Sequence, residues 1–290
     1  MLRAALILSL AVTSVSVADD DVAKQKAAIA ETVAKLKLKT TTVVETADLL
    51  VSTTLPDAKA KTLADAAQRA VTVARDNLGI AKEDSITAGK LALYVFADFS
   101  DLKSFIRLVE QRRPESDTFT MNLRATSPYI AVSSDAGAKL VEADLTAAAA
   151  GWAAAAVLVK KVGFGGEGRL PEWLQRGYGR ACFLRSEPAG RQATARAKIK
   201  SVVGGKGKNV VWAKDIWSGE KLLERDLVTG SFIEYLAFGP NAEKFLALAK
   251  QMKPNLINET PMMDGALLVT LEMNVDAADT AWKIWAIKGK

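Results

Sequence analysis

LPEWLQRGYGR, residues 170–180, starts a helix by its own chemistry. Pro171 has no N–H to lose, and its fixed φ suits the first helical position. Trp173, Leu174, Tyr178, Cys182 and Phe183 then give the helix an apolar face. The stretch before it, DAGAKLVEADLTAAAAGWAAAAVLVKKVG (135–163), has high helix propensity and ends on Lys160, Lys161 and Gly163. From Leu145 to Val159 no side chain can ionise, so this helix is expected to be buried nearly all round. GFGGEGR (163–169) reads as a loop between the two.

Upstream, VAKQKAAIAETVAKLKLK (22–39) reads as an exposed helix or lead-in linker. TTVVETADLLVSTT (41–54) is β-branched and predicts one strand or a pair. Pro56 and Asp57 open a helix with Leu63, Ala66, Ala67, Ala70, Val71, Ala74 and Leu78 on one face, and Gly79 closes it. LALYVFA (91–97) predicts a strand, and Asp98–Arg112 a helix ended by Pro114. TFTMNLRATSPYIAVSS (118–134) predicts a hairpin about Ala125–Pro128. Downstream, VVGGKGKNVVW (202–212) reads as a second hairpin, around Gly204–Gly207. Helices are expected over 219–237, 240–252 and 261–286, separated by Gly239-Pro240 and by Pro254. The order predicts an α+β fold: a small mixed sheet with helices in 40–135, and a mainly helical half in 136–290 continuous with it.

Leu170, Pro171, Trp173, Leu174 and Gly177, with Tyr178-Gly179 loosely, carry a resemblance to the gluzincin peptidases, in particular the bacterial peptidase-MA-like group. In that family a mixed sheet precedes a buried helix bearing His-Glu-x-x-His. A second helix then bears Trp-Leu-x-Glu-Gly-x-Ala, and its Glu is the third zinc ligand. The resemblance implies a zincin-like fold over residues 40–288. It puts the first three metal-site positions at Ala148, Ala149 and Trp152, or at Ala149, Ala150 and Ala153. The third-ligand position is Arg176. Catalytic zinc needs three ligands from His, Glu, Asp or Cys, and its water needs a base. Alanine and tryptophan supply neither. Arg176 sets a permanent cation where a dication would sit, a repulsion of several kcal/mol even at an effective dielectric of about 20. The resemblance thus implies a peptidase scaffold without catalytic residues, metal or cofactor. A cleft with Trp173, Arg176 and Tyr129 would then hold a peptide or protein partner. The edge of the 118–134 hairpin could add its strand, as the resemblance suggests for active relatives, and Arg176 would offer a cation to a carboxylate.

Composition narrows the chemistry further. The 290 residues, 49% of them hydrophobic, suffice for a sizeable core. There is no histidine, which removes the commonest metal ligand and general base together. The single cysteine, Cys182, allows no internal disulfide and reads as a small buried hydrophobe. MLRAALILSLAVTSVSVADDD (1–21) has the basic start, short apolar run and Ser16-Val17-Ala18 site of an export signal. The mature chain is thus expected in the periplasm or outside the cell, with no later membrane span; the alanine-rich run at 147–158 comes nearest to one.

Other motifs are weaker. Ser-x-x-Lys occurs at Ser100–Lys103 and Ser218–Lys221, without the companion motifs of a serine–lysine hydrolase. A hydrolase with other, non-zinc chemistry is the competing enzyme class. GGKGK (204–208) lacks the first glycine of a phosphate loop. Arg191, Arg196, Lys198, Lys200, Lys206, Lys208 and Lys214, with Trp212, form a basic stretch without an acid. It reads as a solvated face or as a grip on an anionic polymer of the cell envelope, with no specific nucleic acid implied. Trp282 and Trp285 lie three apart and are expected to pack the tail onto the body.

Overall fold

The computed structural model describes residues 16–87, 89–115, 118–134, 142–163, 170–205, 210–218, 224–254 and 262–288. It begins with α1 (Ser16–Leu36), then β1 (Thr42–Glu45), β2 (Leu49–Thr53), α2 (Asp57–Asn77), β3 (Leu91–Phe96) and α3 (Phe99–Leu108). β4 (Phe119–Asn122) and β5 (Tyr129–Ser133) follow. The residues expected to form one strand or a pair form the antiparallel pair β1–β2. The expected 118–134 hairpin is β4–β5.

These strands make one mixed sheet in the order β1-β2-β3-β5-β4. β2, β3 and β5 run parallel, and the two edge strands are antiparallel to their neighbours. A parallel strand covered on both faces must be apolar at every position, and β3, LALYVF, is buried throughout. Its alternate residues serve two cores. Leu91, Leu93 and Val95 join the large core with residues of α2; Ala92, Tyr94 and Phe96 join a smaller one with Ile29 of α1 and Leu102, Phe105 and Ile106 of α3.

α2 ends as its sequence implies, with Gly79 at φ +59, a conformation that costs glycine nothing. α3 is shorter than the apolar pattern suggests. Asp98 caps its start by accepting from the Ser100 N–H at 2.8 Å. The helix stops at Leu108, and Gln111 adopts φ 55 before Pro114 is reached.

The helical half starts with α4 (Glu142–Val162) and α5 (Glu172–Ser186), followed by α6 (Ala189–Val203), α7 (Asp215–Ser218) and α8 (Arg225–Phe238). A 3-10 turn (Ala242–Lys244) leads into α9 (Phe245–Gln251), then α10 (Met263–Leu271) and α11 (Val275–Lys288). α4 is buried as expected: every residue from Ala149 to Val159 is buried, and Thr146, Ala147 and Ala148 are half-buried. Among the described residues, Leu145–Val162 is the stretch apolar and long enough to cross a membrane, and 72% of it is enclosed by the protein itself. Glycine lets α5 approach its neighbours closely. Gly179 meets Gly151 of α4, and Gly177 meets Thr229 and Ile233 of α8.

Two expectations are corrected. Among the described residues the hairpin expected around Gly204–Gly207 does not form: Val202 and Val203 finish α6, Gly204 is its C-cap, and 210–212 are not a strand; 206–209 lie outside the described residues. Ile199 and Val203 are buried and α6 packs on α11, so tertiary burial overrides their β-branched preference. The helix expected over 261–286 is two helices, α10 and α11. Glu272, at φ 58, caps the first, and Asn274 accepts from the Ala277 N–H at 2.8 Å to start the second. Residues 164–169, expected as a loop, lie outside the described residues.

Candidate functional site

α4 and α5 carry the positions that the resemblance assigns to a metal and pack against each other, so their facing side chains define the candidate site. Trp152 of α4 is 5% exposed. The Phe119 ring, from edge strand β4, stacks on it with centroids 3.6 Å apart and planes 14° apart. The Arg176 guanidinium of α5 lies 5.9 Å from the Trp152 ring, within reach of a cation–π attraction. Arg176 also pairs with Glu172 one turn earlier and with Asp226 of α8, each at 3.2 Å. These pairs are partly exposed, so each contributes little to stability. Together they hold the guanidinium in place against the indole.

The positions named from the sequence differ in what they face. Ala148 is one turn before Trp152 and shares its helix face; it is half-buried. Ala149, Ala150 and Ala153 are fully enclosed in the core. The face turned to Arg176 is therefore that of Ala148 and Trp152.

Trp173 lies nearby on α5, against Trp217 with centroids 5.8 Å apart. Trp217 in turn meets Phe232, and Phe232 meets Trp282 edge-on. Trp282 is fully buried and donates to the Ser231 hydroxyl at 3.1 Å, while Trp285 packs on Tyr235. The two tail tryptophans thus join α11 to α8.

Tyr129 does not join Trp173 and Arg176. It belongs to the smaller core on the other face of the sheet, beside Tyr94 and Phe105. Its hydroxyl donates to Glu110 at 3.0 Å, and burial with the Glu110 charge pushes its phenol above the usual range. The period of two explains the placement: Ile130 and Val132 face the large core, so Tyr129 and Ala131 face away.

The other candidates disperse. Cys182 is buried, and that burial raises its thiol, with the Tyr178 hydroxyl and the Arg185 charge opposing. Among the described residues no three His, Cys, Asp or Glu side chains gather as a metal would need. The Lys103 ammonium lies over the Phe99 ring at 4.7 Å, and Lys221 lies outside the described residues. In the basic stretch, Arg191 pairs with Glu187 at 2.8 Å, Arg196 with buried Glu234 at 3.0 Å, and Lys198 with Glu224 at 3.0 Å. Lys200 is exposed; Lys206 and Lys208 lie outside the described residues. The Lys283 ammonium sits over Trp212 at 4.1 Å. Glu187 at the end of α5, Glu224 at the start of α8 and Glu234 within α8 already meet much of this charge.

Phe119, Glu172 and Asp226 are the site residues that sequence reasoning missed; Glu172 stood one helical turn before Arg176. Phe119 was open to it, since it shares its strand face with Met121, which packs in the large core. Asp226 carries no signal, because it lies 50 residues from Arg176.

No family model, curated protein or solved structure matches the chain.

Proposed function

We propose that this is an exported, non-catalytic protein on a zincin-like scaffold whose metal position is filled by side chains, and that it acts by holding a peptide or protein. The observation that carries the reading is the stack of Phe119 on Trp152, capped by Arg176. On this reading the stack fills the metal's position, between the edge strand and the two helices. The mixed sheet with an antiparallel edge strand supports the same scaffold. So does a buried helix followed by a second that begins Pro-x-Trp-Leu.

On this reading the hydrolytic water and its base are gone, and the recognition elements remain. β4 has a free edge among the described strands and can add an extended segment. Arg176, 35% exposed in its side chain, can exchange Glu172 or Asp226 for a partner's carboxylate.

The test uses residues 19–290, incubated with zinc and desalted, and then a random peptide library. The reading expects less than about a tenth of an equivalent of zinc, and retained peptides that Arg176→Glu releases. About one equivalent of chelator-removable zinc, or no retained peptide, overturns it.

A further inference from the structure

Among the described strands the sheet has a second free edge, far from α4 and α5 in strand order, and it borders the groove between α1 and β1. The groove has a volume of ≈560 Å³. Ile29, Ala30, Val33 and Ala34 of α1 form one wall, with Leu38 at the exit of the helix, and Val43 lies on the strand side. Val43 is 46% exposed, unusual for a β-branched side chain facing a helix.

The backbone of β1 shows what the edge offers. The Thr46 N–H donates to Leu49 O at 2.9 Å, and the register pairs Glu45 with Leu50, Val44 with Val51 and Val43 with Ser52. Antiparallel pairs alternate between bonded and non-bonded. Val44 therefore bonds inward to Val51, while the N–H and C=O groups of Val43 and Glu45 point outward. The same two residues line the groove. A strand added here would bond to them and drop alternate side chains toward α1.

Charge sets the remaining requirement. Lys26 and Lys37 both line the groove, and Lys37 is exposed at the end where α1 stops. Lys26 pairs with Glu45 at 2.6 Å, but Glu45 also holds Lys90 at 2.8 Å. Glu45 thus keeps a cation if Lys26 turns to a ligand.

We propose that the α1–β1 groove binds an extended apolar peptide bearing a carboxylate, which joins β1 as a sixth strand. The apolar wall and the lysines alone would also suit a long-chain fatty acid. The outward N–H and C=O groups favour a peptide, because a hydrocarbon tail would leave them without partners.

The experiment measures binding of fluorescent Val/Ile hexapeptides with a free C-terminal carboxylate to residues 19–290. N-methylation at alternate positions on one face of the peptide should weaken binding by about tenfold or more, and on the other face little. Ala34→Glu, at an exposed position, should weaken it at least about tenfold, and Lys37→Glu should remove the preference for carboxylate over C-terminal amide. All of these measurements are made in an Arg176→Glu background, whose α4–α5 site no longer retains peptide, so the two sites fail or succeed separately. The proposal is overturned if no hexapeptide binds the folded chain, if palmitate binds in its place, if both N-methyl series bind alike, or if Ala34→Glu has no effect.

Discussion

Gly179 of α5 lies so close to Gly151 of α4 that a Cβ on Gly179 would stand 2.0 Å from the Gly151 carbonyl oxygen. The reverse is not true: a Cβ on Gly151 would meet Gly179 at 3.4 Å, an ordinary contact. The two glycines therefore predict opposite effects. Gly179→Ala must push two backbones apart, and should cost about 3 kcal/mol or more. Gly151→Ala should be neutral or stabilising by up to about 1 kcal/mol, the helix propensity gain. Urea unfolding of both variants checks the asymmetry.

Glu234 is 1% exposed and accepts from Arg185 and Arg196 at 3.0 Å each, tying α8 to α5 and α6. Removing the one carboxylate strands two cations. Both cations are about a third exposed, so Glu234→Ala should cost about 1–3 kcal/mol. Arg185→Ala and Arg196→Ala should each cost less, because Glu234 keeps the other arginine and both are partly exposed. Chemical denaturation of the three variants gives the ranking.

Cys182 is enclosed and its thiol raised, so little thiolate forms in the native state. A thiol reagent at pH 8 should label it only as fast as the protein unfolds. Labelling within seconds in native buffer would contradict its placement.

Two carboxylates set an acid dependence. Hydrogen bonds from Lys26 and then Lys90 lower Glu45, and the Ser100 N–H lowers Asp98. A folded value below the unfolded one stabilises above the unfolded pKa, and that stabilisation is lost as pH falls through the folded value. Both contributions should be complete above about pH 5 and fade below about pH 4. Asp98→Ala should cost about 1 kcal/mol at pH 7 through the lost helix cap. The difference from the unmodified chain should shrink in a thermal melt at pH 3.

The sheet was legible because its strands show their period and their burial in plain view: LALYVF is apolar throughout and occupies the centre. α4 was legible because fifteen residues without an ionisable side chain, Leu145–Val159, leave few places but the interior. The end of α6 was not, since Val202-Val203-Gly204-Gly205 favours a strand and turn locally, and only packing on α11 decides otherwise. The break at Glu272 lacks glycine and proline and was hidden for that reason, although Asn274 is a fair cap signal. In the site, Arg176 stood out by its motif. Its partner Trp152 was one of several positions in an alanine-rich helix that gives no register of its own. Contact with Phe119 and Arg176 distinguishes it.

The central claim is that α4 and α5 preserve a zincin frame with Trp152 and Arg176 in the metal's place. It is tested most directly by rebuilding the site as Ala148→His, Ala149→Glu, Trp152→His and Arg176→Glu in one chain. The account predicts about one equivalent of tightly held zinc, removable by a chelator. It also predicts none for the shifted set Ala149→His, Ala150→Glu, Ala153→His and Arg176→Glu. A rebuilt chain that keeps its far-UV circular dichroism and cooperative melt, yet holds less than about a tenth of an equivalent, would contradict it.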